Sequence, residues 1–163
     1  MSKPRWRTVI RPRPLLTFAA AWLLATAWGS LVQTQYNLAA LQRLGLPIDG
    51  ATRGLTSLQD LLGFGPVYAA IVLAAWLPAF ATALWLGRRS GPYRACLLPL
   101  ATSISLVAAI RLIDAFAPMP VLIYATRTLD GLLAMAMGGL LGGLLFIWLM
   151  RPRAPQVTVD ITP

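Results

Sequence analysis

Residues 121–150 read VLIYATRTLDGLLAMAMGGLLGGLLFIWLM, thirty positions in which Arg127 and Asp130 are the only charges. A helix needs about 20 mostly apolar residues to cross the hydrocarbon core of a bilayer, and this stretch exceeds that length. Three more stretches meet it, at 14–32, 66–86 and 95–116. The chain as a whole agrees: 58% of its 163 residues are apolar and 12% charged, against about 25% charged residues in an ordinary soluble domain. The expected fold is all-α, an integral membrane protein built as an antiparallel bundle of four transmembrane helices. Short connections at 87–94 and 117–120 make the second, third and fourth helices neighbours.

Placement of the basic residues then sets the orientation. The net charge of +9 would suggest nucleic acid in a soluble chain. Here Lys3, Arg5, Arg7, Arg11 and Arg13 precede the first span, Arg88, Arg89 and Arg94 separate the second from the third, and Arg151 and Arg153 follow the last. This is the positive-inside pattern, so both termini are expected in the cytoplasm, and nucleic acid is not an expected partner. Only Arg43 and Arg53 fall on the opposite side. Thirteen of the 14 basic residues are Arg, which fits GC-rich codon usage and a bacterial inner membrane. A cleavable secretory signal is the rival reading of the N-terminus, with Ala25-Thr26-Ala27 as the cut. The apolar stretch, however, continues past it through Trp28, Leu31 and Val32.

Three regions lie outside the spans. Residues 1–13 form a basic cytoplasmic segment, and 151–163, rich in Pro, read as a disordered tail. The extracytoplasmic loop at 33–65 has helical content: Leu38, Leu41 and Leu44 share a face, Gly45-Leu46-Pro47 stops them, and Asp49-Gly50 reads as a tight turn. Thr56-Ser57-Leu58-Gln59 fits a capping box opening a short amphipathic helix. Gln33, Gln35, Asn37, Gln59 and Asp60 would then form a polar mouth able to hydrogen-bond a headgroup, a quinone carbonyl or a partner's backbone.

The residues that most need an explanation are two Arg-x-x-Asp units within apolar helices, Arg111 with Asp114 and Arg127 with Asp130. Each such charge costs roughly 2.5–3.5 kcal/mol at a bilayer centre. Counting from the flanking arginines places them near the outer boundary, with the two guanidinium groups at one level and the four charges summing to zero. The expectation is an ion-pair cluster that either locks the hairpin register or lines an outward-facing ligand site. A second signal is the face formed by Gly131, Gly138, Gly139, Gly142 and Gly143. It allows close helix approach, either within the bundle or against a partner chain or second copy.

The chemistry excluded is as informative. With no His, one Cys and five acidic residues that are all Asp, the chain offers no His-ligated metal site, no Ser-His-Asp triad and no internal disulfide. No cofactor, metal or catalytic residue is expected, and the protein reads as a non-enzyme. The leading expectation is an accessory or assembly subunit that binds a larger membrane complex, a lipid or a quinone-like ligand. The alternative is a small transporter or channel subunit using the Arg/Asp cluster, and a membrane enzyme ranks third.

Overall fold

The computed structural model describes residues 12–87, 94–116 and 123–151. Among these residues it is entirely helical, with α1 (Pro12–Arg43), α2 (Gly50–Gly63), α3 (Gly65–Gly87), α4 (Arg94–Phe116), a short 3-10 segment (Tyr124–Arg127) and α5 (Leu129–Met150). Four of the helices, α1, α3, α4 and α5, are long and apolar enough to cross a membrane. The expected basic segment up to residue 11, the turn at 117–120 and the tail after Arg151 lie outside the described residues.

These helices close into a ring in which α5 packs on α1 and α4, and α3 packs on α4 and α1. Contacts along two seams run antiparallel: Gly142 meets Ala21, Gly138 meets Ala25 and Asp130 meets Tyr36 between α5 and α1, and Gly143 meets Pro99 and Gly139 meets Thr102 between α5 and α4. Trp76, Tyr68, Leu106, Ile110 and Met135 are fully buried between the helices. Phe18, Trp76, Phe80 and Phe146 meet largely edge to face, a favoured aromatic geometry. The outward faces stay apolar, with Leu77, Leu100, Ile104, Leu112, Leu133 and Leu144 about half exposed or more. A hydrophobic exterior around a packed interior is stable in lipid rather than water.

The glycines of α5 make this packing close. A methyl group on Gly139 would lie 2.7 Å from the Thr102 carbonyl oxygen, and one on Gly143 would lie 2.6 Å from the Pro99 Cα. Gly142 and Gly138 do the same against the Ala21 and Ala25 carbonyls of α1, at 2.8 and 3.2 Å. Two adjacent glycine edges thus serve two different helices. Of the two uses expected for this face, these contacts are of the first kind, within the bundle.

Hydrogen bonds reinforce the seams. Trp22 and Trp28 donate their indole N–H across helices to the carbonyls of Ala69 and Ala134, at 2.9 and 2.8 Å. Thr102 and Ser103 of α4 donate to the Gly139 and Ala136 carbonyls at 2.8 and 2.9 Å. At the far end Arg13 donates to the Leu149 and Arg151 carbonyls at 3.0 and 2.9 Å, satisfying the last carbonyls of α5 with a cation at the negative end of its dipole.

Helix boundaries differ from the sequence expectation in three places. First, α1 runs to Arg43 rather than stopping near residue 32. It ends where Gly45 adopts φ +86 and the amides of Gly45 and Leu46 bond back to Gln42 and Leu41, a Schellman ending. Second, α2 starts at Gly50: Asp49 is its N-cap and accepts from the Thr52 amide at 2.8 Å, so neither the turn at Asp49-Gly50 nor the box at Thr56 forms. Those Thr52 contacts, side chain first and backbone second, hold the Asp49 carboxyl below the ordinary range. Third, α5 starts at Leu129, with Thr128 extended at ψ 152 as its N-cap.

Candidate functional site

The end of the bundle that carries α2 gathers a dense set of hydrogen bonds between side chains. α2 presents Arg53, Ser57 and Asp60 to α1: Asp60 accepts from the Thr34 hydroxyl at 2.8 Å, Gln35 donates to Ser57 at 3.2 Å, and Arg53 donates to the side-chain oxygens of Gln35 and Gln42. Spacing explains this face, since positions 53, 57 and 60 fall on one side of a helix.

On the other flank of α1 the 3-10 segment is docked by Gln33, whose buried Oε1 accepts from the Ala125 backbone N–H at 2.9 Å. Gly131 lets the segment fold onto α5, because a methyl group there would collide with the Ala125 carbonyl. The segment holds Tyr124, with the Arg127 guanidinium 5.1 Å from the centre of its ring, a cation–π distance. Tyr36 of α1 donates to Asp130 at 2.7 Å.

Between these two flanks opens a pocket of about 520 Å³, lined by Gln35, Tyr36, Ala39, Arg43, Arg53, Tyr124, Arg127, Thr128 and Asp130. Three guanidinium groups and one carboxylate line it, and that carboxylate already accepts the Tyr36 hydroxyl. The pocket is therefore net cationic, with Tyr124 beside Arg127 on its wall.

The expected Arg/Asp cluster is distributed differently. Arg111 is exposed on α4. Asp114 accepts from Thr126 at a long 3.5 Å, and its other oxygen is buried without a partner among the described residues. Arg127 precedes the N-cap of α5, so Arg127 and Asp130 do not share a helix, and a count by helical rise does not apply to Arg127. Both carboxylates take hydroxyl partners from neighbouring segments. Of the expected mouth residues, Gln33, Gln35 and Asp60 hold the architecture together, Asn37 is half-buried and Gln59 is exposed. Arg43, Arg53 and Tyr124 of the pocket were not among the expected site residues.

No protein-family model, no curated protein and no solved structure matches the chain. The chemistry of the site therefore has to be read from its own residues.

Deeper in the bundle, Thr26, Ser30 and Tyr68 each bury a hydroxyl without a partner among the described residues, and the Tyr68 ring occupies the space beside Gly29. A buried hydroxyl lacking its hydrogen bond is unfavourable, and an apolar isostere is neutral or better. Tyr68→Phe is expected to raise the thermal midpoint in detergent, by about 1 kcal/mol of stability. A fall in the midpoint would show that the hydroxyl has a partner.

Proposed function

We propose that the protein is a non-catalytic accessory protein of the bacterial inner membrane that holds an anionic group, a phosphate or carboxylate, in its arginine pocket. Ten basic residues flank one side of the four spans, which supports a cytoplasmic N-terminus and C-terminus and an outward-facing pocket. The observation that carries the reading is the convergence of Arg43, Arg53 and Arg127 from three separate segments on one cavity. Three guanidinium groups against one carboxylate leave the lining net positive, which favours an anion. Arginine suits that role, since its planar fork matches carboxylate and phosphate geometry with two parallel hydrogen bonds. Tyr124 adds a phenol group that hydrogen-bonds oxygen acceptors, while the Tyr36 hydroxyl is held by Asp130.

Binding supplies the test. A phosphorylated ligand such as glycerol phosphate should raise the thermal midpoint of the detergent-purified protein, as any ligand of the folded state does. Arg43→Gln and Arg53→Gln should each weaken that binding about tenfold, the equivalent of a charge-assisted hydrogen bond of about 1.5–3 kcal/mol at its lower end. Arg111→Gln, outside the pocket lining, should leave it unchanged. Equal loss from all three variants would mean that bulk charge, not the pocket, attracts the anion.

A further inference from the structure

α2 is amphipathic in the inverse sense for a helix at an aqueous surface. Its polar side, Arg53, Ser57 and Asp60, faces α1 through the hydrogen bonds described above. Its leucines face away, with Leu55, Leu58 and Leu62 exposed by 61%, 62% and 76%, and no residue of α2 is buried. Water would favour the opposite rotation. A bilayer surface favours this one, because the leucine side then enters the acyl boundary.

Depth locates the pocket relative to that boundary. Thr34, which bonds Asp60, lies 21 residues beyond Arg13 in α1, about 32 Å along the axis, close to the thickness of a hydrocarbon core. Arg53 bonds Gln35 and Gln42 just beyond that boundary, and Arg43 lies nine residues past Thr34, about 14 Å, so the pocket extends outward from the headgroup layer. The chain near each pocket arginine also carries an exposed leucine outside the pocket lining: Leu44 next to Arg43, Leu55 two residues after Arg53, and Leu129 two after Arg127, exposed by 79%, 61% and 67%. Cationic donors edged with hydrocarbon complement an amphiphile with an anionic head.

Resting on the anion-binding reading above, we infer that the ligand is an anionic phospholipid of the outer leaflet. It enters sideways, its phosphate against Arg43, Arg53 and Arg127 and its chains along the leucine side of α2. The soluble headgroup alone would fill only the arginine half of the site.

The experiment compares retained mass in native mass spectra of the full chain, incubated in mild detergent with phosphatidylglycerol, with phosphatidylcholine of the same chains, or with glycerol phosphate. Phosphatidylglycerol is expected to bind at least tenfold better than either, and Arg53→Gln should remove its advantage over phosphatidylcholine. The triple variant Leu55→Ser, Leu58→Ser, Leu62→Ser should lose phosphatidylglycerol while keeping glycerol phosphate. The three-ligand ranking on the unmodified chain decides the matter even if that variant does not fold. If glycerol phosphate binds as well as phosphatidylglycerol, the ligand is a soluble anion, which overturns the lipid inference and leaves the anion pocket standing. If neither anion binds better than phosphatidylcholine, the anion-binding reading fails and the lipid inference fails with it.

Discussion

Gly139→Val is expected to separate α4 from α5 and destabilise the protein by about 3–5 kcal/mol, from roughly 1–3 for overpacking and about 1 for each of two interhelical hydrogen bonds. The first branch atom alone would stand 2.7 Å from the Thr102 carbonyl oxygen and 2.8 Å from the Ser103 Cα. Both are backbone atoms, so no rotamer change relieves the clash, and α4 must move. Moving it breaks the bonds from Thr102 and Ser103 to the carbonyls of Gly139 and Ala136. Gly54→Ala is the control: nothing lies within 4 Å of its missing Cβ, and the substitution favours helix by about 1 kcal/mol. Thermal unfolding in detergent should show the first variant melting far below the second. Similar midpoints would mean that the α4–α5 seam is loose enough to absorb a side chain.

The same seam marks what the sequence alone allows one to read. Long apolar runs state the number of spans, because lipid tolerates little else, and α1, α3, α4 and α5 lie where those runs do. Glycine spacing announced close packing but not its direction. Two glycines four apart look alike whether they meet a neighbouring helix or a partner, and only the fold shows 138 and 142 against α1 and 139 and 143 against α4.

Boundaries were read less well, for a local reason. The polar run Gln33-Thr34-Gln35 resembled a membrane exit, but its side chains bond Ala125, Asp60 and Ser57, so the helix continues past the boundary with its polar groups satisfied. Thr128 falls inside the long apolar run, yet Thr-x-x-Gly before such a run suits an N-cap, and with that cap Arg127 lies outside α5. The pocket itself had one signal in the sequence: Arg43 and Arg53 are the two cations that fall against the positive-inside pattern. Residues that contradict a topological rule need a local reason to be there, and both line the pocket.

Gln33→Leu should have the second-largest effect, because a single acceptor holds the wall of that pocket. The Gln33 oxygen accepts from the Ala125 amide at 2.9 Å, with Ala125 fully buried and Gln33 nearly so. Leucine fills similar volume but leaves an N–H unpaired near the lipid boundary, a cost of about 1–3 kcal/mol. The 3-10 segment then has no polar tie to α1 at that point, and Tyr124 and Arg127, both on the pocket wall, lose their placement. Two readouts should therefore fall together, the thermal midpoint and the affinity for the anionic ligand. Gln33→Glu keeps an oxygen acceptor for the amide and should retain more of both. A variant that loses stability but binds normally would show that Arg127 contributes nothing to the site, and would reduce the pocket to the two arginines of α1 and α2.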